Sequence, residues 1–176
     1  MQFDQLRIKV HKEGCPGRLV INQIKDPTYK MCKVLTDILN PLDEQADSFL
    51  KNSKQLKEEL KMLVIDENCV MGSQDIKSMY PMIPLEKTLK LRNEQLKKDN
   101  SLKERTKWLP KQITDLLRIC LETNFWTFEG NVCTQTDDTP IGKSISGPLA
   151  GIFVARLEEQ FIKNGKLRHR SFFGRG

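Results

Sequence analysis

The chain has 176 residues, 38% of them hydrophobic and 30% charged, with a formal net charge of +6. That length suits one domain with a real core, or part of a larger one, and the composition excludes a disordered chain. No window reaches the roughly 18 uninterrupted apolar residues of a membrane span. Met1-Gln2-Phe3-Asp4-Gln5 has neither the basic start nor the apolar run of a secretory signal, so the expected location is intracellular, nuclear or cytoplasmic.

Leu6, Ile8 and Val10 alternate with Arg7, Lys9 and His11, the period of a half-buried strand. Cys15-Pro16-Gly17 makes a turn and Arg18-Leu19-Val20-Ile21 starts a second strand, so residues 6 to 22 read as a hairpin. Asp26-Pro27-Thr28 opens a helix, with Asp26 as cap and Pro27 at the first position, where it has no N–H to lose. Met31, Leu35, Ile38 and Leu39 share one face of it, and Asn40-Pro41 is expected to end it. A second helix is predicted from near Ser53, with Leu56, Leu60 and Leu63 inward.

A strand is predicted at about 69 to 75, and a helix after Pro84 with Leu85 and Leu89 on one side. Residues 97 to 109 are polar and lysine-rich and read as an exposed connection. Pro110 starts the most regular helix, in which Ile113, Leu116, Leu117, Cys120 and Leu121 form a broad apolar stripe. Phe125 to Phe128, Glu129-Gly130-Asn131 and Val132-Cys133-Thr134 read as a hairpin. A last helix covers about 147 to 164, with Leu149, Ile152, Phe153 and Leu157 inward, and Ser171-Phe172-Phe173 begins a final strand. Strands and helices mix without regular βαβ alternation, which favours an α+β fold.

The five cysteines, Cys15, Cys32, Cys69, Cys120 and Cys133, lie far apart and form no CxxC pair. Zinc sites bring ligands in close pairs, and an odd count argues against a disulfide framework, so reduced thiols are expected. The basic surplus favours a polyanionic partner, because lysines and arginines near phosphates release condensed counterions.

Asp75-Ile76-Lys77-Ser78-Met79-Tyr80-Pro81-Met82-Ile83-Pro84 is the most informative segment. It sets an acidic residue at the end of a predicted strand, followed by a tight turn and a helix start. A carboxylate there can hold Mg²⁺ against a phosphate, since Mg²⁺ takes a few carboxylate oxygens plus substrate oxygens. The competing reading is an aspartate that simply faces water.

This segment resembles the first palm motif of reverse transcriptases in the form found in Penelope-like retroelements: Asp, two residues, Ser, one residue, an aromatic, two residues, Ile-Pro. Upstream, Lys9-Val10-His11-Lys12-Glu13-Gly14-Cys15-Pro16-Gly17-Arg18 is similar to that family's Lys-Ile-His-Lys fingers motif. Asp26-Pro27-Thr28-Tyr29 resembles its Ser-Pro-Thr-Tyr, and Leu50-Lys51-Asn52-Ser53 the Lys-Asn-Ser ahead of the palm. Downstream, Gln135 through Glu158 resembles the second palm motif, with Gly142, Ser146, Pro148, Leu149, Ala150, Ile152, Phe153, Leu157 and Glu158 in register. The likeness runs in order over about residues 7 to 175.

The resemblance implies a right-hand polymerase fragment of the α+β class, with an antiparallel palm sheet packed on helices, residues 1–65 as a fingers-like segment and 66–176 as a partial palm. It implies RNA-directed DNA synthesis with deoxynucleotides on an RNA template or RNA–DNA hybrid, by two Mg²⁺ ions about 3.5–4 Å apart that clamp an in-line displacement. Asp75 matches the metal-binding aspartate, and the carbonyl of Ile76 would sit beside the same metal. Tyr80 matches the aromatic gate against the sugar 2′ position, with a plain core tyrosine as the competing reading. Gly142 matches the loop glycine where backbone passes close to nucleotide or template. Arg18 and Lys12 match basic fingers residues that hold the triphosphate, with solvated surface charge as the competing reading. Gln135 matches the glutamine ahead of the loop.

The sequence also departs from the family. The Tyr-x-Asp-Asp turn that supplies two further aspartates is not among the 176 residues, nor is a thumb; Phe172-Phe173-Gly174-Arg175 resembles the lead-in to that turn. Asp137-Asp138 precedes the Gly142 loop and reads as a polar turn. Asp138 stands where glycine is usual, Lys143, Ser144, Gly147 and Gly151 replace Ser, Pro, Pro and Asn, and Leu19 follows Arg18 in place of proline. Lys143 adds bulk and charge to a loop expected to be small. The expectation is a truncated or decayed copy with no polymerase activity as an isolated chain. Two alternatives stay open: a non-catalytic remnant that grips nucleic acid by backbone contacts, and a basic α+β protein of unrelated purpose.

Overall fold

The computed structural model describes residues 5–8, 17–20, 23–46, 49–62, 64, 76, 79–123, 125–128, 131–134 and 139–163. Its strands are β1 (Gln5–Ile8), β2 (Gly17–Val20), β3 (Phe125–Phe128) and β4 (Asn131–Thr134). Its helices are α1 (Tyr29–Asp43), α2 (Ser53–Lys61), α3 (Leu85–Lys98), α4 (Leu102–Arg105), α5 (Pro110–Glu122) and α6 (Ser146–Lys163). Short 3-10 turns at Gln23–Lys25 and Tyr80–Met82 lead into α1 and α3.

The expectation of an α+β fold with an antiparallel palm sheet packed on helices is overturned. The described residues are mostly helical. Strands occur among them only as two separate antiparallel pairs, β1 with β2 and β3 with β4. Each strand has four residues, and neither pair gains a third strand among the described residues. The apolar burial lies instead where the helical period concentrates it. Cys32, Leu35, Ile38, Leu39 and Leu42 of α1 pack with Ile113, Leu117, Cys120 and Leu121 of α5, with Leu89 and Leu96 of α3, and with Leu102, Ile145 and Leu149. Each such side chain contributes about 1.5–3 kcal/mol by leaving water. Truncation of the fully buried Leu35 to alanine is expected to cost about 2–5 kcal/mol.

Helix α1 begins at Tyr29, later than a cap at Asp26 predicts, with Thr28 as its N-cap. It also continues through Pro41 to Asp43. The proline removes one N–H, yet Leu42 is buried and anchors the final turn on the core, and Glu44 N closes the end on Asn40 O at 3.3 Å. Packing of one leucine outweighs the local preference to stop.

Helix α2 buries nothing fully. Leu56 is half-buried and Leu60 exposed, against the expected inward stripe; Leu63 lies outside the described residues. Local bonds hold α2 instead. Asn52 Oδ1 accepts Gln55 N at 3.0 Å, and Gln55 Oε1 accepts Lys51 N at 3.0 Å, a reciprocal cap.

Residues 97 to 109 are more ordered than a plain connection. Asp99 Oδ1 accepts both Ser101 N (2.9 Å) and Ser101 Oγ (2.8 Å). Arg105 pairs with Asp99 Oδ2 and donates to Ser101 Oγ at 2.9 Å. Leu102 is buried in the core and Trp108 packs against it. Helix α5 then starts at Pro110, where the missing N–H is harmless, and Gln112 Oε1 accepts Leu109 N at 2.8 Å.

Arg92 on α3 falls at the spacing of Leu85, Leu89 and Leu96, and its side chain is fully buried. It reaches Asp43 Oδ1 at 2.9 Å and Gln95 Oε1 at 2.7 Å, and it donates to Pro148 O. One guanidinium therefore joins the end of α1, the middle of α3 and the start of α6. No helix among the described residues is long and apolar enough to cross a membrane.

Candidate functional site

The residues that the resemblance singles out are unevenly covered. Asp75, Lys12 and Gln135 lie outside the described residues, as do the strand expected at about 69 to 75 and the one at Ser171. Arg18 stands on β2 directly across from Arg7 on β1. Ile76 is exposed. Tyr80 is half-buried at the head of the 3-10 turn before α3, where its carbonyl accepts Ile83 N at 3.3 Å. Gly142 sits in the turn before α6 with φ 107°, a conformation that suits glycine because it has no Cβ. No hydrogen bond or ion pair among the described residues joins Ile76, Tyr80 and Gly142 to one another.

What the fold does bring together is the stretch around Asp26, the Gly142 turn and the end of α5. The Lys143 ammonium stands 2.9 Å from Asp26 Oδ2, and the two side chains are 0% and 2% exposed. Removing two charges from water is expensive unless every proton and lone pair finds a partner. Lys143 Nζ donates its hydrogen bonds to Cys120 O at 2.5 Å, Thr123 O at 2.8 Å and Thr28 Oγ1 at 3.3 Å. Its three protons are thereby used. Two of these acceptors, Cys120 in the last turn of α5 and Thr123 at its C-cap, stand where carbonyls lack helical partners and the helix dipole is negative. Lys143, expected to crowd the loop, is in fact its anchor.

On the Asp26 side, Oδ2 faces the Lys143 ammonium and Oδ1 is taken up by Thr28. Asp26 Oδ1 accepts Thr28 N and Thr28 Oγ1, both at 2.6 Å. Burial pushes the Asp26 carboxyl up, but the Thr28 and Lys143 hydrogen bonds and the Lys143 charge outweigh it and hold it below the usual carboxylate range. Cys32, one helical turn on, donates to Thr28 Oγ1 at 3.6 Å. The neighbouring Cys120 draws the Cys32 thiol down against the effect of burial, and Cys120 itself is pushed up by Cys32 and by burial. Cys32, Cys120 and Cys133 are free thiols.

A second set of bonds fastens the loop beyond Lys143. Gln23 Oε1 accepts Ser144 N at 2.8 Å, Thr36 Oγ1 donates to Ser144 Oγ at 3.0 Å, and Ser146 Oγ donates to Pro140 O at 2.5 Å. The turn carrying Gly142 is thus pinned on both sides, while Gly142 itself stays exposed. A glycine held open on a fixed frame lets another backbone or a ligand approach closely.

Compared with known proteins, the chain matches no family model and no curated protein. The polymerase expectation rests on the sequence motifs alone. Among the described residues no group of three or more His, Cys, Asp or Glu side chains is placed to hold a metal ion. The magnesium expectation rests on Asp75, which lies outside the described residues.

Sequence reasoning missed the roles of Lys143 and Arg92. For Arg92 a signal existed, because a lone charge at the spacing of an apolar stripe is a candidate for a buried, paired side chain. For Lys143 only the replacement of a small loop residue by a long cation marked the position.

Proposed function

We propose that the chain is a reverse transcriptase segment of the Penelope-like type, an RNA-directed DNA polymerase by descent. Its partners in this reading are an RNA template, RNA–DNA hybrid and deoxynucleotides, inside the nucleus or cytoplasm. The observation that supports the reading is the meeting of two motif-like segments at the Asp26–Lys143 hub, a pair whose own two residues stand where the family has serine. It ties the Asp26-Pro27-Thr28-Tyr29 segment to the Gly142 turn, and these two segments resemble separate motifs of one family. Motifs that serve one site are expected to meet in space although far apart in the chain. The reading requires no palm sheet among the described residues.

In this reading the pinned turn presents the Gly142 backbone to nucleotide or template. The ring of Tyr80 selects against a 2′-hydroxyl, and Asp75 with the Ile76 carbonyl provides the metal side of the site. Arg18 and Lys12 hold the triphosphate by charge. Two-metal transfer needs more than one carboxylate, and the family's second aspartate pair has no counterpart within these 176 residues. Template binding without synthesis is therefore the activity expected of the chain by itself.

Mg²⁺-dependent extension of a primed RNA template tests this, run on the chain and on a version lengthened with downstream coding sequence. Salt-dependent template binding by both and DNA synthesis by the longer version alone is the expected result. Binding by both and synthesis by neither would describe a non-catalytic nucleic-acid-binding remnant. Absence of template binding by both would remove the reading.

A further inference from the structure

We propose that the exposed lysines of residues 97–111 form a docking surface for the sugar-phosphate backbone of an RNA–DNA hybrid. The proposal rests on the nucleic-acid partner argued for the chain as a whole, and it adds where that partner sits.

Lys97, Lys98, Lys103, Lys107 and Lys111 are all exposed. None of them forms an ion pair with a described residue. The two acids of the same stretch do little to neutralise them. Asp99 is turned onto Arg105 and Ser101, which leaves Glu104 as the exposed carboxylate of the stretch. With Glu94 and Asp115 also exposed, one helical turn from Lys98 and Lys111, the surface carries an excess of cations.

The frame beneath this surface is rigid. The Asp99–Ser101–Arg105 lock fixes the turn between α3 and α4, Leu102 plugs into the core, and Trp108 packs against it. Lysines on a fixed frame lose less freedom on binding than lysines on a loose loop. Leu109, 64% exposed beside them, adds apolar area at the same place.

Stability alone accounts for only part of the pattern. Lys97 and Lys98 end α3, where a cation is favoured by the helix dipole. Lys111 is the second residue of α5, at the positive end, and no acid stands in that first turn. Lys107 lies just ahead of it. Those two positions disfavour cations, and clustered like charges repel. A polyanion relieves both effects. Regular phosphates along a backbone suit lysines as point charges, without base contacts.

The test is fluorescence anisotropy of a labelled RNA–DNA hybrid across a salt series. The variant K98Q/K103Q/K107Q/K111Q is compared with K51Q/K54Q/K57Q/K61Q, which removes the same charge from the exposed lysines at and along α2. The first variant is expected to bind at least about tenfold more weakly at 0.1 M salt and to lose about 2–4 from the slope of log affinity against log salt. The second should stay within about threefold of the parent. Thermal melting checks that both fold, and K103Q/K107Q, with about half the slope change, serves if the quadruple variant does not.

Equal losses in the two quadruple variants would reduce the effect to net charge and overturn the surface. Unchanged binding by the first variant would place the hybrid elsewhere, for example on the basic residues after Ile162. Loss of heparin binding with hybrid binding intact would assign the surface to another polyanion, again overturning it. If the parent chain binds no hybrid, the functional reading fails as well; in the other cases only the surface does.

Discussion

Lys143 and Asp26 form a buried ion pair at 2.9 Å, with side chains 0% and 2% exposed, and the pair joins the start of α1 to the turn before α6. Its worth lies in what it fixes. A well-packed apolar substitute for both residues can equal such a pair in stability, whereas removing one partner strands a charge.

Lys143→Met should therefore destabilise the fold by about 3–5 kcal/mol, since it leaves Asp26 buried without its cation and two carbonyls at the end of α5 without a donor. Asp26→Asn should also destabilise. The double variant should lose less than the two single losses combined, with a coupling of about 1–3 kcal/mol. Urea unfolding of the four proteins measures this, and strict additivity would mean that the pair is not coupled.

The Asp26 carboxyl titrates below its ordinary value of 3.8 in the folded state. Its stabilising contribution is therefore fully present above the unfolded value and is lost as pH falls through the lower folded one. Asp99 acts in the same direction: its burial opposes, but the Ser101 and Arg105 contacts lower it. Urea midpoints should decline below about pH 4, and less steeply in Asp26→Asn than in the parent chain. A parallel decline in the two proteins would show that Asp26 has no part in it.

Arg92→Met keeps the bulk of the buried side chain and removes its donors to Asp43, Gln95 and Pro148 O. A loss of about 2–4 kcal/mol is expected, with little rescue by Arg92→Lys, whose single ammonium cannot span the same fork. Thermal melting of the two variants decides it. Near-parental melting of Arg92→Lys would mean that charge alone matters there.

Gly142→Ala should lose about 1–3 kcal/mol by forcing a Cβ onto φ 107°, although the position is exposed. Because no packing is lost, Gly142→Asn should be milder, as asparagine tolerates positive φ better. Equal melting of all three proteins would show that the turn relaxes to another conformation.

The sequence by itself determined the elements whose cause is local. The apolar period placed α1, α5 and α6, Pro84 and Pro110 marked two helix starts, and both short hairpins followed from alternation and turn residues. These signals lie within a few residues of one another, so no distant partner is needed to read them. Tertiary structure decided the rest. Whether Pro41 ends α1 depended on Leu42 reaching the core. Whether residues 97 to 109 were slack depended on Leu102 and Trp108 docking onto it. Whether the strands would make a palm sheet depended on partners that the described residues do not supply. Lys143 and Thr28 are 115 residues apart, and no local propensity encodes a contact at that distance. A cation is costly to bury alone and acceptable when a carboxylate and helix-end carbonyls meet it. Only the packing of α1, α5 and the turn before α6 brings those groups together.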